Sequence, residues 1–401
     1  MKKIVIGLSG GVDSAVAAYL LKEKGYEVTG VTLRMYKPNV DTEASDGEAS
    51  GEEMQEAEGV LSSDAEIADA QRICTHLGIP HVTVDMSQTF RSEVIDYFAK
   101  EYLEGRTPNP CCRCNRAVKF HGLLSWALEN GYDGIATGHY ARIVKGDNQR
   151  YTVQKSLADT KDQTYALYCL SREELEKTMF PLGEYTKDEV RTIAMKINLP
   201  VAEKKESQDI CFIPDKDYGA FLREYSKTAN ISLPGPGRFV DESGKVLGEH
   251  TGYTDYTIGQ RKGLGIAMGH RIFVSRIDPV KNEVTISDED VFGNTLTVGD
   301  VNYMAIDSLP GSLRAFAKIR YAHKGEWCTV SLAEEEVCNK DVGEGVDEGI
   351  DESIDEGGKL VCVFDNPVRA ITPGQAVVFY DNDSDERKIL FGGTINYANQ
   401  S

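Results

Sequence analysis

Apolar positions recur with two different spacings, which alternate along the first half of the chain. Residues 2–8 form a short apolar run that predicts a buried strand, and a glycine pair follows it closely. Val16, Ala17, Leu20 and Leu21 then recur at helical spacing. Further strands are predicted at 27–33, 81–85 and 134–137, and helices at 13–23, 65–77, 92–103, 120–129 and 186–197. This succession indicates an α/β fold in which a parallel sheet carries helices on both faces.

The pattern changes beyond about residue 218. Glycine, proline and short strands dominate there, in the segments GPGRFV, GKVLG, RIFVSRID and NEVTISD. From about residue 296 the segments FAKIRY, EWCTVSL, KLVCVFD, QAVVFY and ILFGGTI are typical of an antiparallel sheet or small barrel. We therefore predict three regions: an α/β domain over 1–218, a small linking domain over 219–290 and a C-terminal β domain over 291–401.

The net charge is −20, but the charged residues are distributed unevenly along the chain. Residues 41–69 and residues 334–356 hold 11 acidic side chains each, against a single Lys340. These stretches carry −21 together, so the rest of the chain is near +1. Their composition is typical of solvated loops, which we place as acidic insertions at about 38–64 and 334–358. The balanced remainder leaves a nucleic-acid partner open.

The compartment follows from what the chain lacks. No run of about 18 apolar residues exists, which predicts no membrane-spanning segment. The start MKKIVIGLSGG is too soon broken by glycine for a signal peptide, so we expect a cytoplasmic protein. Its nine cysteines are then core thiols, metal ligands or catalytic groups. Those in apolar or unmarked contexts are predicted to be buried: Cys74, Cys169, Cys328, Cys338 and Cys362.

A candidate phosphate-binding loop, SGGVDS at 9–14, lies between the first strand and the first helix. Its glycines allow backbone N–H groups to approach phosphate oxygens, and the helix N-terminus adds partial positive charge. Ser9 and Ser14 supply hydroxyl donors, and Asp13 can help hold Mg²⁺ or cap the helix. The string resembles the loop of ATP pyrophosphatases, which adenylate a carbonyl or carboxyl oxygen. It does not choose among them.

Cysteines provide the second group of candidates. The segment GRTPNPCCRCNRAVK at 105–119 contains two prolines that disfavour a helix. We therefore expect an irregular loop to carry its cysteines, Cys111, Cys112 and Cys114. Arg113 and Arg116 are expected to lower the pKa values of these thiols. Cys211 lies in a second polar, loop-like segment.

With these motifs the chain resembles the tRNA-specific 2-thiouridylase family, within the PP-loop ATP pyrophosphatase superfamily. Further strings match in order: ATGHYAR at 136–142, KDQTY at 161–165, SQDICFIP at 207–214, GEHTGYTDYTIGQRKGLGIA at 248–267, RY at 320–321 and TPGQAVVFY at 372–380. The match covers nearly the whole chain apart from the acidic insertions. It implies an ATP-pyrophosphatase catalytic domain, a small central domain and a C-terminal antiparallel β-barrel that help grip tRNA.

The resemblance also implies roles for individual residues. Those implied to bind ATP are Gly7, Leu8, Ser9, Gly10, Gly11, Val12, Asp13 and Ser14, with Leu33 and Gly138 near the nucleotide. Those implied to flank the target base are Asn109, Pro110 and Cys111. Those implied to contact tRNA are His139, Lys161, Asp162, Gln163, Arg320, Tyr321 and Gln375. Cys211 is implied to carry sulfur as a persulfide, and Cys114 to be the nucleophile that later forms a disulfide with it.

The activity implied is 2-thiolation of the wobble uridine of tRNA. The uridine would be flipped out of its stack, and its C2 oxygen would attack the α-phosphate of Mg²⁺-bound ATP. Persulfide sulfur would then replace the activated oxygen. The implied partners are tRNA and an upstream sulfur donor, either a relay protein or a cysteine desulfurase, and we expect a monomer. Some family members carry Asp, often proposed as a general base, where this chain has Cys111.

Several alternatives stay open. An adenylating ligase or amidotransferase for small molecules would share the phosphate loop but would not need paired cysteines. A nonenzymatic RNA-binding module could use the loop as a phosphate clamp, and Arg261 and Lys262 offer cations for RNA in either case. Three thiolates could also hold an iron–sulfur cluster or, with a fourth ligand, zinc: Cys111, Cys114 and Cys211. We favour the persulfide route, which requires two of them.

Overall fold

The computed structural model describes residues 1–35, 64–158, 162–202, 204, 210–213, 217–266, 268–333 and 360–400. In its first half the strands are β1 (Lys3–Gly7), β2 (Glu27–Arg34), β3 (His81–Asp85), β4 (Gly134–Ala136), β5 (Ala141–Lys145), β6 (Tyr151–Lys155) and β7 (Thr178–Met179). Five of them form a parallel sheet in the order β3–β2–β1–β4–β7. The predicted α/β fold is confirmed.

Helices cover both faces of this sheet. They are α1 (Val12–Glu23), α2 (Asp64–Leu77), α3 (Ser87–Phe90), α4 (Tyr97–Leu103), α5 (Pro110–Cys114), α6 (Leu123–Glu129), α7 (Arg172–Glu176), α8 (Lys187–Lys196) and, beyond the sheet, α9 (Tyr218–Ala229). Ile4 and Ile6 of β1 pack with α1, α2 and α8, whereas Val5 packs with α4, α5 and α6 on the other face. Because both faces are buried, β1 is apolar at every central position.

The cysteine segment differs from the prediction. Pro110 occupies the first position of α5, where a missing N–H breaks no helical hydrogen bond. Asn109 caps this helix: its Oδ1 accepts a hydrogen bond from the Cys112 amide at 3.2 Å. A π-helix (Asn115–Gly122) continues α5 directly into α6. The predicted irregular loop is therefore wrong, and the three cysteines lie at the start of a helical run over 110–129.

Other elements were placed only approximately by the sequence. The helix predicted at 92–103 begins at Ser87 and includes a π-helical turn (Arg91–Asp96). The β5–β6 hairpin was not predicted, because its central residues do not alternate strictly between apolar and polar. Helix α9 was also missed, in a region where glycine and proline dominate on either side.

The middle of the chain forms a small mixed sheet of β8 (Gly237–Val240), β9 (Val246–His250), β10 (Phe273–Asp278) and β11 (Glu283–Ser287). Its order is β10–β11–β8–β9. Tyr253, beside this sheet, donates a hydrogen bond to the Leu103 carbonyl at 2.6 Å, which ties the sheet to the end of α4.

The C-terminal region closes into a barrel of β12 (Phe292–Tyr303), β13 (Ser312–Lys318), β14 (Glu326–Leu332), β15 (Leu360–Arg369), β16 (Ala376–Tyr380) and β17 (Ile389–Gln400). Neighbouring strands are antiparallel, in the order β12–β15–β14–β13–β16–β17, and β17 pairs with β12. The predicted antiparallel barrel is confirmed. Closure removes the exposed strand edges that an open sheet would present.

The barrel packs directly against the α/β region. Val378 and Tyr380 of β16 belong to the same buried cluster as Val5 of β1. Asp162 and Arg387 form an ion pair between the two regions, with side chains only 9% and 12% exposed. Arg116, in the π-helix, is paired with Asp300 of β12 at 2.9 Å. The helical run over 110–129, here called the cysteine helix, is thus supported by the barrel as well as by the sheet.

Two predictions concern residues that lie largely outside the described part of the chain. The acidic insertions at 38–64 and 334–358 lie, apart from Asp64, beyond the described residues, as does Cys338. Across the described part of the chain, no helix combines the length and the apolar character needed to cross a membrane.

Removing Arg387 tests how strongly the ion pair joins the two regions. We expect Arg387→Met to lower the free energy of unfolding by about 3 kcal/mol, because Asp162 is left as a buried charge without its partner. Urea denaturation gives the value. Arg276→Met is the control, since Arg276 is 74% exposed and 3.9 Å from its partner Asp278, and should change stability by less than about 0.5 kcal/mol. Equal losses in the two variants would contradict this interpretation.

Candidate active site

The carboxyl edge of the parallel sheet beside β1, where residues 9–14 and Gly138 come together, is here called the crevice. The sheet continues from β1 to β2 on one side and to β4 on the other, so the chain reverses direction across the sheet at this point. Ligands of open α/β sheets bind at such switch points. Residues 9–14 follow β1, and Gly138 follows β4 by two residues.

The loop at 9–14 presents backbone N–H groups to this crevice. Gly10 has φ of +69°, and an added Cβ would lie 2.9 Å from the Glu66 carbonyl oxygen, so both conformation and space require glycine. The Ser9 amide donates to the Ser14 Oγ at 3.3 Å, and that hydroxyl donates to the Gly11 carbonyl at 3.2 Å. No side chain caps α1 at Gly11, which leaves the first N–H groups of the helix for an anion.

Gly138 closes the crevice from the neighbouring strand. A Cβ at this position would lie 2.7 Å from the Ser14 amide nitrogen and 2.9 Å from the Asp13 carbonyl carbon. The backbone after β4 therefore contacts the first turn of α1 directly. Leu33, near the end of β2, is buried and pairs with Val84 of β3. The structure thus brings together the residues predicted to bind ATP.

Asp13 differs from its predicted role. Its Oδ1 accepts hydrogen bonds from the Lys187 ammonium at 2.6 Å and from the Tyr140 hydroxyl at 2.8 Å, and it does not cap α1. The predicted cap is therefore wrong: the side chain points back to α8 instead of to the helix start. This ion pair fixes α8 to the loop and leaves Asp13 poorly suited to bind a metal ion directly. A magnesium role for Asp13 stays a prediction.

The three candidate cysteines come from two segments. Cys111 is exposed and Cys114 is buried, and their spacing of three residues places them on one helical face. Cys211 is exposed in a turn over 210–213. The next residue, Phe212, anchors that turn by packing its ring 5.3 Å from Phe98 and 5.1 Å from Phe221.

One ammonium group, that of Lys119, interacts electrostatically with all three thiols. Burial opposes its charge, but the neighbouring thiols of Cys114, Cys211 and Cys111 together raise the pKa of Lys119. Lys119 follows Cys114 by five residues, which an α-helix would place on different faces. The π-helix has hydrogen bonds between residues five apart, so its wider turn brings Lys119 over Cys114.

The predicted source of thiol activation is wrong. Arg113 is paired with Glu93 at 2.7 Å and lies over the Tyr97 ring, and Arg116 is paired with Asp300. Neither arginine is among the charges that act on Cys114 or Cys211.

The pKa values of these thiols are raised, not lowered. Burial raises the pKa of Cys114 to about 12 although the Lys119 charge opposes the rise. Cys211 reaches solvent, but the protein around it removes enough water to raise its pKa to about 11, again against Lys119. Both cysteines therefore rest as thiols, and Lys119 is the charge that favours their thiolates.

His139 connects the two parts of the site. It follows Gly138, its Nδ1 lies 2.7 Å from the Thr137 hydroxyl, and its ring packs 5.6 Å from Phe120. Burial, with a smaller contribution from the Lys119 charge, lowers the pKa of His139 to about 3. The imidazole is therefore neutral at physiological pH. Residues 138 and 139 therefore link the phosphate crevice to the group formed by Lys119 and the three cysteines.

The residues predicted to contact the target base and tRNA make protein contacts of their own. Asn109 caps α5, and Pro110 is buried beneath it. Gln375 of the barrel donates hydrogen bonds to the carbonyls of Thr107 and Pro108, at 2.9 and 3.0 Å. It therefore anchors the segment that leads into the cysteine helix. Its contact with tRNA stays a prediction.

The remaining tRNA candidates divide by exposure. Tyr321 is 51% exposed. Asp162 is buried in its ion pair, Gln163 accepts a hydrogen bond from the Tyr140 amide at 2.7 Å, and Arg320 donates to the Arg369 carbonyl at 2.6 Å. Lys161 lies outside the described residues. Tyr321 is thus the clearest RNA-facing candidate among those that the structure describes.

A metal site would need several donor side chains gathered at one place. Within the described residues, no three side chains of His, Cys, Asp or Glu come close enough together to hold a metal ion. The three candidate cysteines share an electrostatic environment but do not form a ligand set for an iron–sulfur cluster or zinc. The four predicted core thiols in the described part of the chain are confirmed as buried: Cys74, Cys169, Cys328 and Cys362.

Comparison with known proteins identifies the family. Family models match residues 2–215 as a tRNA methyl transferase HUP domain, 220–288 as a tRNA methyl transferase PRC-barrel domain and 352–395 as an aminomethyltransferase β-barrel domain. The tRNA-specific 2-thiouridylase MnmA of Lachnoclostridium phytofermentans is 45% identical over 98% of this chain and 99% of its own. The chain belongs to the tRNA-specific 2-thiouridylase family.

Other 2-thiouridylases match over the same length. That of Carboxydothermus hydrogenoformans is 46% identical over 98% of this chain and 97% of its own, and that of Clostridioides difficile is 42% identical over 98% of each. Because these alignments run nearly from end to end, the similarity includes the phosphate loop, the cysteine helix and the barrel.

Sequence reasoning missed two residues of this 2-thiouridylase site. Lys119 was within the matched segment but had no role, because helical spacing separates it from Cys114. Phe212 was within SQDICFIP, and an aromatic residue directly after a polar turn is the signal that could have marked it as the anchor. Both depend on contacts that only the folded chain provides.

A methyl group at Gly138 should disrupt the phosphate crevice. We expect Gly138→Ala to weaken ATP binding at least about tenfold, since its Cβ would push the Ser14 amide out of place. Isothermal titration calorimetry measures the affinity. Gly235→Ala is the matched control, because nothing lies within 4 Å of a Cβ there. Unchanged affinity in a folded Gly138→Ala protein would exclude this crevice as the nucleotide site.

Removing the Lys119 charge should make Cys211 less reactive. The positive charge lowers the pKa of the thiol, so Lys119→Met should raise it further above about 11 and shift alkylation to higher pH. At pH 8 iodoacetamide should then alkylate Cys211 roughly tenfold more slowly, one pKa unit being a tenfold change in thiolate. Lys119→Arg should stay near wild type. Lys100→Met, on the exposed side of α4, is the control. Equal rates in all variants would contradict the assignment.

Proposed function

We propose that the protein is a tRNA-uridine 2-sulfurtransferase. It uses ATP to activate the C2 oxygen of the wobble uridine and replaces that oxygen with sulfur carried as a persulfide on Cys211. The observation that carries the proposal is that two thiols from separate segments, Cys114 and Cys211, both interact electrostatically with the Lys119 ammonium. The loop that can bind phosphate contacts Gly138 in the same domain. A ligase for small molecules would need the crevice but not this pair.

The first step uses the crevice. The backbone N–H groups of residues 9–14 and the start of α1 bind the phosphates of ATP. The C2 oxygen of the flipped uridine attacks the α-phosphorus, and pyrophosphate leaves. Mg²⁺ usually keeps several waters and binds through substrate phosphates with one or two carboxylates. Since Asp13 is engaged by Lys187, the ion is proposed to bind chiefly through the phosphates, where it would neutralise their charge.

The second step is the sulfur transfer. The terminal sulfur of the Cys211 persulfide attacks C2 of the adenylated uridine, and AMP leaves with the bonding electrons. Uridine is then joined to Cys211 through a sulfur–sulfur bond. The Cys114 thiolate attacks the Cys211 sulfur of that bond, which releases 2-thiouridine and leaves a Cys114–Cys211 disulfide. Each turnover thus consumes one ATP and oxidises two thiols.

Lys119 and His139 have distinct parts in this sequence. The Lys119 ammonium stabilises the anionic sulfur at both cysteines, which burial alone would keep protonated. His139, neutral because of its burial, adds no competing positive charge and packs its ring against the wall of the site.

The partners follow from the substrate. Tyr321 on the barrel, and Arg261 and Lys262 in the central region, are exposed and are proposed to contact tRNA. We also propose a division of the chain into domains at 1–218, 219–290 and 291–401. An upstream sulfur donor, a relay protein or a desulfurase, loads Cys211, which its exposure permits. We place the reaction in the cytoplasm and the active form as a monomer. An iron–sulfur route is not favoured, because the described thiols do not form a ligand set.

The order of the two steps gives a test. Cys211→Ser should still release pyrophosphate in the presence of tRNA, within about threefold of wild type, because adenylation needs no sulfur. It should produce no 2-thiouridine, as measured by mass spectrometry of digested tRNA. Gly138→Ala should lose both signals.

Two controls complete the design. Transcripts with cytidine in place of the wobble uridine should support neither reaction. Thiolation by a Cys211→Ser protein that retains its fold would exclude Cys211 as the sulfur carrier.

A further inference from the structure

The reaction proposed above leaves the enzyme oxidised, and the surroundings of its cysteines indicate how it recovers. A Cys114–Cys211 disulfide joins a buried sulfur to an exposed one. Until it is opened, Cys211 cannot accept another sulfur. A route that frees Cys211 without waiting for a reductant would return the carrier to its donor at once.

Cys111 is placed to provide that route. It is exposed, it lies one helical turn before Cys114, and it shares the field of Lys119 with both other thiols. A C-x-x-C pair at a helix start can form a disulfide within the helix turn. The buried second sulfur of the pair is reached most directly from its own helix, where the attacking group is already held close.

We propose that Cys111 is a resolving thiol that opens the Cys114–Cys211 disulfide after each sulfur transfer. This inference rests on the proposed function. The Cys111 thiolate attacks the Cys114 sulfur, the Cys114–Cys211 bond breaks, and Cys211 leaves as a thiolate beside Lys119. The exchange is isoelectronic: one disulfide, Cys111–Cys114, replaces another. An external dithiol then attacks the exposed Cys111 sulfur, reduces the pair to two thiols and is itself oxidised.

The direction of attack follows from the surroundings. Cys211 is the better leaving group of the two bonded sulfurs, since its thiolate can reach solvent whereas that of Cys114 would be buried. Attack at Cys114 therefore releases the more stable thiolate. The same Lys119 charge faces both the attacking and the departing sulfur. If residue 111 acted only as a proton acceptor, it would require neither its helical spacing from Cys114 nor a departing thiolate beside Lys119.

The linkage after one turnover tests the proposal. Full-length protein is loaded with persulfide, freed of reductant, and given tRNA and ATP for a single turnover. Acid quenching, alkylation with N-ethylmaleimide and peptide mapping then locate the disulfide. Wild type should show Cys111–Cys114 and a free Cys211. Cys111→Ser should show Cys114–Cys211, with about tenfold less free Cys211 thiol.

Two further variants separate this role from others. Cys111→Asp should trap Cys114–Cys211 as the serine variant does, whereas a Cys111→Asp protein that behaves as wild type would assign a base role to this position and overturn the proposal. Cys112→Ala, which removes a neighbouring thiol, should map as wild type. A wild-type protein that retains Cys114–Cys211 would also overturn it.

A failure of the resolving step can be distinguished from a failure of the proposed function. The yield of 2-thiouridine in the first turnover should fall far less in Cys111→Ser than the recovery of free Cys211. If wild type makes no 2-thiouridine at all, the proposed function fails and not the resolving step alone. If Cys111→Ser makes none while anaerobic wild type contains stoichiometric iron, the three cysteines act as cluster ligands and the resolving role is wrong.

Discussion

The electrostatic interaction between Lys119 and three cysteines is the constraint on which the site depends. Burial raises the pKa values of Cys114 and Cys211 to about 12 and about 11 even with Lys119 beside them, and a thiol is a poor nucleophile. A single ammonium beside them favours each thiolate in turn without fixing any one as permanently ionised. Cysteines that carry sulfur, attack a sulfur–sulfur bond and leave as thiolates in sequence must be able to change between thiol and thiolate. A stronger field would trap one anion and slow the exchange.

The position of that ammonium depends on the helix geometry around it. Asn109 and Pro110 begin α5, and the π-helix that follows rotates Lys119 over Cys114. The barrel supports this arrangement from outside, because Gln375 binds the carbonyls of Thr107 and Pro108 and Asp300 binds Arg116. The region proposed to grip tRNA is therefore in contact with the segment that carries Cys114.

Sequence patterns were sufficient for the scaffold and for half of the site. Alternating strand and helix signals located the parallel sheet, and the SGGVDS string located the crevice between β1 and α1. The cysteine segment was predicted wrongly, since the helix-breaking character of Pro110 does not apply at the first position of a helix. Thiol activation was assigned to arginines that are adjacent in sequence but engaged elsewhere. Lys119 could not be found from an α-helical period, and Phe212 acts through contacts distant in the chain.

The account makes one claim above the others, that the sulfur incorporated into tRNA has been bound to Cys211. Transfer of labelled sulfur tests it most directly. Protein carrying a ³⁵S persulfide on Cys211, freed of other sulfur, is mixed with tRNA, ATP and excess unlabelled sulfide. The account predicts that the label moves into 2-thiouridine when ATP is present and remains on the protein when it is absent. Unlabelled 2-thiouridine formed while the label stays on Cys211 would contradict it.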